Sequence, residues 1–310
     1  MRNQRAKALS VSRPVFDMVR RGGLTGRVLA SYHQTCTLVT SGGEIIALVG
    51  PAIGNGPLNI VIEDSEALDG VRPGLPMLVS DGQLILGDSL VVLLDGAQLW
   101  RPEVNWECLT SQRRSLGDNL AALCGWLSQN DEARVALHGL SNPRSPHNLA
   151  LLTTAWAGIK KLLQALQHGD QLDIGESAAL LAGLGPGLTP AGDDYLVGLM
   201  AGLRLWPGPL ENSRLSPEEV CQIILEATES KTTLLSRAFL HSAKQGLFGE
   251  DWHELLAALA GGEIIGIQKA ARRILSAGAT SGAAALAGFL SPYLWHRSGD
   301  FSRAPRGHSD

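Results

Sequence analysis

The sequence has few of the patterns that usually reveal a protein's chemistry. Its 310 residues include four cysteines, Cys36, Cys108, Cys124 and Cys221, and none of them stands at a metal-ligand spacing such as CxxC. The eight histidines form no paired metal spacing, and neither a Ser-His-Asp arrangement nor a nucleophile elbow is present. We therefore expect reduced, mostly buried thiols in a cytoplasmic protein.

Strong charge and long apolar runs are also missing. The formal net charge is -4, and no basic stripe with interleaved aromatic residues occurs, which argues against nucleic acid as the main partner. No apolar stretch is long enough to cross a membrane, and the basic residues Arg2, Arg5 and Lys7 are not followed by the apolar run of a signal peptide. Hydrophobic residues make up 45% of the chain, enough for a sizeable core in one large or two ordinary domains.

The first hundred residues consist of short apolar runs separated by turn signals. These runs predict strands over 27–33, 35–40, 44–49, 58–63, 77–80, 83–86 and 90–94. Ser41-Gly42-Gly43 and Asp81-Gly82 predict hairpin turns between strands. Six or seven short strands joined by tight turns are typical of an antiparallel barrel or sandwich.

The chain changes character near Trp100-Arg101-Pro102. Beyond this point, apolar residues at helical spacing predict helices over 116–127, 146–166, 190–205, 217–228, 232–244, 251–260, 263–276 and 281–295. The sequence thus predicts an α+β fold, with a β-rich domain over 1–105 and a larger, mainly α-helical domain over 106–295. A polar tail over 296–310 is predicted to be disordered.

The most informative segment combines alternating glycines, a helix-start signal and two acids: Gly183-Leu-Gly-Pro-Gly-Leu-Thr-Pro-Ala-Gly-Asp-Asp-Tyr195. Glycine permits positive φ and lets the backbone approach a ligand closely, which makes Gly185 and Gly187 candidate binding residues. Thr189 followed by Pro190 predicts an N-cap with proline at the first helical position. The loop would therefore end at a helix N-terminus, where an anion is favoured.

Asp193 and Asp194 follow in the first turn of the predicted helix. Because they are adjacent, they point about 100° apart, and we favour Asp193 for a functional role because it is closer to the loop. The two acids can complement the helix dipole, hold a divalent cation such as Mg²⁺, or orient the N–H groups of a ligand.

A structural interpretation fits the same segment, since Gly-Pro-Gly followed by Thr-Pro is a good connector from loop to helix. Two well-known nucleotide motifs do not fit. No Lys-Ser/Thr follows the glycines, so the segment is not a Walker A loop, and the GxGxxG spacing of dinucleotide sites is absent.

Two further predicted helix starts carry similar chemistry: Ser230-Lys231-Thr232-Thr233 and Gly278-Ala279-Thr280-Ser281-Gly282. The first offers an ammonium group and hydroxyls to a phosphate or carboxylate. The second offers capping hydroxyls between glycines. Each also fits a purely structural role as a capped helix. If the three starts converge in space, we expect them to form one anion site. The first helix start would contribute the glycine loop, Asp193 and Asp194. The other two starts would contribute the candidates Lys231, Thr232, Thr233, Thr280, Ser281 and Gly282.

Four other residues are weaker candidates. His241 lies downstream on the helix that follows Lys231, and a core or surface role suits it better. Asn55, before a Gly-Pro turn, and the pair Glu176 and Ser177, before the glycine loop, are further residues that we expect near a ligand.

On these motifs the chain resembles the bacterial family that includes the AllH subunit of oxamate carbamoyltransferase. The match is strong in the Gly-Pro-Gly-Leu-Thr-Pro run that ends at Pro190 and at Asp193-Asp194. It is weaker at Thr280-Ser281-Gly282, where Ala279 takes the place of a histidine that the family often carries. If that histidine has a chemical role in relatives, this chain lacks it. The resemblance lies mainly in the C-terminal half.

The resemblance implies a component of carbamoyl transfer in allantoin breakdown, in which oxalurate and phosphate give oxamate and carbamoyl phosphate. It also implies partner subunits, one of them similar to acyl-CoA synthetases. The alternative is a non-catalytic ligand-binding or assembly subunit of such a complex, which would bind ligand without turnover until its partners were added. A purely structural protein is a third option.

Overall fold

The chain forms two compact units in a computed structural model, which describes residues 4–111, 113–129, 149–278 and 280–298. One unit contains the residues up to Val104 together with Leu247–Glu250, and the other contains Asn105–Gly246 and the residues from Asp251 on. The predicted α+β fold is confirmed, with strands in the first unit and mainly helices in the second. The tail predicted to be disordered over 296–310 begins too early, since residues 296–298 are helical, and the remainder from position 299 on lies outside the described residues.

The described part of the first unit contains nine strands, a short helix α1 (Arg13–Val19) and a 3₁₀ turn. The strands are β1 (Gln4–Ser12), β2 (Leu24–Tyr32), β3 (Thr35–Thr40), β4 (Ile45–Val49), β5 (Asn59–Ile62), β6 (Pro76–Ser80), β7 (Gln83–Leu86), β8 (Leu90–Leu93) and β9 (Gln98–Trp100). Eight of them follow the order β5-β4-β3-β2-β6-β7-β8-β1, and the pairing of β1 with β5 closes this sheet into a barrel.

Strand β1 closes the barrel and was not predicted from the sequence. It pairs antiparallel with β5 and parallel with both β8 and β9. Its exposed positions alternate with the small buried residues Ala6 and Ala8, so that its apolar signal is weak. The sequence analysis gave no strand before residue 27, because the partners of β1 are distant in sequence. The predicted barrel is mostly antiparallel, with parallel pairs of β1 with β8 and β9 and of β4 with β5.

The barrel interior is apolar, as the period-2 pattern of its strands requires. On β6, Met77 and Val79 are buried, whereas Leu78 between them is 41% exposed. The predicted hairpin turn between β6 and β7 is confirmed, since Asp81 and Gly82 both have positive φ, 49° and 71°. Such a turn matches the twist of the flanking strands.

The described residues of the second unit form ten helices in chain order. They are α2 (Trp106–Thr110), α3 (Arg113–Gln129), α4 (Leu149–His168), α5 (Gln171–Leu181), α6 (Ala191–Leu205), α7 (Pro217–Thr228), α8 (Leu234–Lys244), α9 (Glu250–Gly261), α10 (Ile264–Leu275) and α11 (Ser281–Ser298). Helix α2 was not predicted, and α5 was expected only as a short helical segment. The start predicted for α4 at position 146 lies outside the described residues. None of the described helices has both the length and the apolarity to span a bilayer.

Candidate functional site

The glycine loop, residues 183–190, connects α5 to α6 through three glycines with positive φ. The angle is +70° at Gly183, +119° at Gly185 and +103° at Gly187. A Cβ atom on Gly183 would lie 2.5 Å from the carbonyl oxygen of Lys231, whereas one on Gly187 would meet nothing within 4 Å. Gly183 is therefore required for packing as well as conformation, while Gly187 leaves open space beside the loop.

Helix α6 begins one residue later than the sequence predicts. Pro190 is its N-cap and has no side-chain capping bond, and its carbonyl accepts the backbone N–H groups of Asp193 at 2.9 Å and Asp194 at 3.2 Å. The prediction that Thr189 caps the helix was therefore wrong. The hydroxyl of Thr189 instead lies 3.1 Å from the hydroxyl of Ser281, at the start of α11.

Asp193 joins the glycine loop to the segment before α8. Its side chain is almost fully buried, at 1% exposure. The Oδ1 atom accepts the backbone N–H of Gly183 at 2.9 Å, and Oδ2 accepts the hydroxyl of Thr232. Hydrogen bonds to a charged acceptor are among the stronger ones in proteins. Asp193 thus holds three segments of the unit together.

The start of α8 is fixed on the same loop. Thr233 is the N-cap of α8, and its Oγ1 accepts the backbone N–H of Ser236 at 3.1 Å. The same hydroxyl donates to the carbonyl of Leu188 at 2.6 Å. One threonine side chain therefore caps the helix and positions its first turn against the glycine loop.

Asp194 contacts a different helix from its neighbour. It lies near Ser281 at the start of α11, and its Oδ2 atom is buried with no hydrogen-bond partner among the described residues. Burial raises the pKa of Asp194 to about 7, the hydrogen bond from Ser281 opposes that rise, and the charge of Asp193 adds to it. Burial thus favours the neutral form of this carboxyl group.

Helices α6 and α11 pack at backbone contact distance. A Cβ atom on Gly198 would lie 1.8 Å from the carbonyl oxygen of Ala285, and one on Gly202 would lie 2.2 Å from that of Phe289. These contacts advance along both helices in the same direction, so α6 and α11 are parallel. The glycines let the two starts, and with them Asp194 and Ser281, lie side by side.

Helix α8 is also parallel to α6. Their starts are joined through Thr232 and Asp193, and their ends through Arg204, which donates to the carbonyl of Lys244 at 2.6 Å. The starts of α6, α8 and α11 therefore meet at one place, which we call the junction: residues 183–194, 231–233 and 280–282. Three positive helix ends lie close together there.

The remaining predicted residues of the junction differ in exposure. Lys231 is exposed, and its ammonium group has no partner among the described residues. Thr280 is also exposed, and its carbonyl accepts the N–H of Ala284 at 3.0 Å. Gly282 is buried, and a Cβ atom there would lie 1.8 Å from the carbonyl oxygen of Ile274. The structure thus brings all three predicted helix starts together, while ligand binding by them stays a prediction.

The weaker candidates lie in other contexts. Asn55 belongs to the first unit, where its backbone N–H and side-chain amide both donate to Glu250. Glu176 pairs with Lys161 at 3.0 Å. His241 is exposed in the last turn of α8, remote from the start of that helix. The contact that sequence reasoning missed is the one between the hydroxyls of Thr189 and Ser281, since no local signal links two helix starts so far apart in the chain.

None of the three cysteines with a shifted pKa has an activated thiol. Burial raises the pKa of Cys36, Cys124 and Cys221 to about 12, so these thiols stay protonated at neutral pH. All four cysteines are free, as the sequence predicts, and Cys108 is exposed.

The donor set of the junction is not that of a usual cation site. Within the described ranges, no group of three or more His, Cys, Asp or Glu side chains is placed to hold a metal ion. Both oxygens of Asp193 already accept hydrogen bonds, and burial favours the neutral form of Asp194. The Mg²⁺ suggested by the sequence therefore stays a prediction, and no step below depends on it.

Two family models match the chain. The model described as oxamate carbamoyltransferase subunit AllH matches residues 181–292, which include the whole junction. The model described as the AllH family N-terminal domain matches residues 7–99, which include most of the barrel. The similarity thus extends beyond the C-terminal motifs. No solved structure matches the chain significantly.

Proposed function

Because the chain belongs to the AllH family, we propose that it is a subunit of oxamate carbamoyltransferase and binds an anionic substrate at the junction. The family reaction converts oxalurate and phosphate into oxamate and carbamoyl phosphate. All four compounds are anions at neutral pH. The observation that carries the proposal is the meeting of three parallel helix starts beside an exposed lysine with no partner in the described chain. Asp193 ties the starts of α6 and α8 together, and the contact of Thr189 with Ser281 joins the start of α11 to them.

The electrostatics of the junction favour a small anion. Each helix N-terminus carries roughly half a positive charge, and three such ends add to the charge of the Lys231 ammonium. The backbone N–H groups of Gly185 and Gly187, with the hydroxyl of Thr280, are our candidates for contact with ligand oxygens. Fixed donors of this kind stabilise charge that develops on oxygen in acyl transfer.

Asp193 has a positioning role in this proposal. Its two hydrogen bonds hold the glycine loop and Thr232 in place, so it supports the anion site without touching the anion. Thr233 and Leu188 add a second tie between the loop and α8. The anion site therefore depends on a buried carboxylate that organises positive groups around it.

Partner subunits complete the enzyme in this proposal, because AllH proteins are subunits of oxamate carbamoyltransferase. The resemblance noted above points to a partner similar to acyl-CoA synthetases. If the chain is instead a binding or assembly subunit, it will bind ligand and show no turnover of its own in any mixture that lacks the catalytic partner.

Calorimetric titration of the full chain tests the proposal. Oxalurate, oxamate, phosphate and carbamoyl phosphate are titrated separately, each with and without Mg²⁺. We expect at least one to bind, and Lys231→Met to weaken that binding about tenfold through the loss of one charged contact. Lys269→Met, which removes another exposed lysine on α10, is the matched control and should bind as the parent does.

Two outcomes contradict the proposal. One is the absence of binding by any of the four compounds. The other is binding of equal strength by the parent chain, Lys231→Met and Thr232→Val, which would place the ligand away from the junction. Turnover is then assayed after addition of candidate partner subunits, and its appearance only in their presence separates a catalytic subunit from one that binds alone.

A further inference from the structure

One buried hydroxyl group at the start of α8 has no hydrogen-bond partner. Ser236 lies in the first turn of this helix and is only 2% exposed, and its Oγ atom has no partner among the described residues. It belongs to the buried face of α8 together with Leu240 and Ala243. A buried hydroxyl that forms no hydrogen bond destabilises a folded protein, so protein interiors seldom contain one. Ser236 is therefore a candidate for contact with a ligand.

A second serine on the same helix shows the usual arrangement. Ser242 is also buried, and its hydroxyl donates to the carbonyl of Ala238, four residues earlier, at 3.0 Å. Ser236 forms no such bond, because the residue four positions before it, Thr232, precedes the helix. The position of Ser236 in the first turn thus leaves its hydroxyl group unpaired.

The Ser236 side chain points towards the junction. In an α-helix each Cα–Cβ bond leans towards the N-terminus, so a side chain covers the turn before its own Cα atom. For Ser236 that turn contains Thr232 and Thr233, which belong to the junction. The Thr233 hydroxyl accepts the backbone N–H of Ser236 at 3.1 Å and donates to the carbonyl of Leu188 at 2.6 Å. The Ser236 hydroxyl therefore lies on the inner side of the junction, where α8 contacts the glycine loop.

Other donors are available at the same helix start. The backbone N–H groups of Leu234 and Leu235, the first two of α8, have no hydrogen-bond partner in the described ranges, as is usual where a helix begins. The exposed Lys231 and the half-buried Arg237 form no ion pair with another described residue. The carboxylate of Asp193 is close to them, but both of its oxygens already accept hydrogen bonds. This set of donors and cations suits an oxyanion.

We propose that Ser236 is a contact residue for the ligand of the junction, an inference that rests on the proposed function. Its hydroxyl donates to an anionic oxygen at the start of α8. This oxygen lies between Ser236 on the inner side and the exposed Lys231 ammonium on the outer side. A carboxylate and a phosphate group both carry such an oxygen, so the oxyanion is the chemical class that this part of the junction recognises. The bond also gives Ser236 the partner that the described chain does not supply.

Calorimetric titration of the full chain and of Ser236→Ala tests the inference. Oxalurate, oxamate, phosphate and carbamoyl phosphate are titrated separately. Because a hydrogen bond to a charged group is stronger than one between neutral groups, we expect Ser236→Ala to bind at least one of them about tenfold more weakly than the parent chain. The ligand whose affinity falls is the one that lies at the start of α8. The midpoint of urea unfolding should stay the same or rise, because the variant removes a buried hydroxyl without a partner.

Two further variants separate the contact from packing. Ser242→Ala removes a buried hydroxyl from the same helix that already has a partner, and it should bind every ligand as the parent chain does. Ser236→Cys keeps the shape of the side chain but replaces the hydroxyl with a weak donor, so it should lose affinity as Ser236→Ala does.

The results distinguish this inference from the proposed function. Parent-like affinity of Ser236→Ala for every ligand that binds overturns the contact and leaves the anion site intact. An equal loss of affinity in Ser242→Ala, or parent-like affinity of Ser236→Cys, also overturns it, because packing would then explain the change. A lower unfolding midpoint of Ser236→Ala would assign the hydroxyl to the fold instead of the ligand. If none of the four compounds binds the parent chain, the anion site and the contact are overturned together.

Discussion

The barrel and the helical unit differ in whether their buried polar groups have hydrogen-bond partners. In the barrel, Ser10 donates to Asn55, Ser12 donates to the carbonyl of Pro57, and Thr40 donates to Glu44. In the helical unit, the described structure leaves the buried hydroxyls of Ser177 and Ser236 and the Oδ2 atom of Asp194 without partners. A protein interior normally satisfies such groups. Among the described residues, the buried polar atoms without a partner thus lie in the helical unit, and two of them, on Asp194 and Ser236, are in the first turns of helices that begin at the junction.

We expect the largest loss of stability when the close packing of α6 against α11 is disrupted. In Gly198→Val, the new Cβ atom would lie 1.8 Å from the backbone oxygen of Ala285, which cannot move without separating α6 from α11. We expect the free energy of unfolding to fall by about 3 kcal/mol or more, measured by urea denaturation. Gly125→Ala, on the open face of α3, is the control and should gain about 0.5–1 kcal/mol. Parent-like stability of Gly198→Val would contradict the observed packing.

Truncation of a side chain in the barrel core should lower the stability of the chain and leave its affinity for ligand unchanged. Leu84 is fully buried in the barrel, and Leu84→Ala leaves a cavity there. We expect a loss of about 2–5 kcal/mol in the free energy of unfolding. The affinity of the folded variant for oxamate, measured by calorimetry, should equal that of the parent chain. A weaker affinity at temperatures where the variant is folded would show that the barrel contributes to the site.

The buried carboxyl group of Asp194 should make stability depend on pH. Its pKa rises to about 7 in the folded state, whereas an unfolded Asp titrates near 3.8. The unfolded chain therefore releases this proton first, and the free energy of unfolding falls as pH rises from about 4 to about 7. Asp194→Asn lacks this loss, so its stability relative to the parent chain should grow by about 2–4 kcal/mol across that window. Denaturant curves at pH 4, 5.5 and 8 measure the difference, and a constant difference would contradict the raised pKa.

The hydroxyl of Thr232 should give the smallest effect. Thr232→Val keeps the shape of the side chain and removes its bond to Asp193. We expect a loss of about 1–2 kcal/mol in stability, together with weaker oxamate binding, because the glycine loop is held less firmly. Thr232→Ser, which keeps the hydroxyl, should restore both. If Thr232→Val lowers stability and leaves affinity unchanged, the tie through Asp193 is structural only.

The sequence predicts best those elements that are determined by residues next to each other in the chain. Asp81-Gly82 requires positive φ at two consecutive positions and therefore predicts its turn, and the helix over 217–228 is predicted to the residue because Ser216 and Pro217 mark its start. Strand β1 has no such signal. Its short alanine side chains become core residues only when β5 and β8 lie on either side of it.

The candidate site shows the same division. The glycines, the helix starts and the two aspartates could be named from the sequence because each follows from local backbone chemistry. The sequence favoured Asp193 over Asp194 for function by its nearness to the loop. The two aspartates differ in environment because Asp193 accepts the hydroxyl of Thr232, whereas Asp194 lies near Ser281. Ser281 in turn contacts Thr189, which is 92 residues away in the chain. Such pairings are set by tertiary packing.

The central claim is that an anion binds where α6, α8 and α11 begin. The most direct test follows backbone amide resonances of the isotope-labelled full chain during titration with oxamate. The account predicts saturable shifts for the amides of Gly185, Gly187, Lys231 and Ser281, with those of the barrel strands unchanged. Shifts confined to the barrel, or to helices away from the junction, would contradict it.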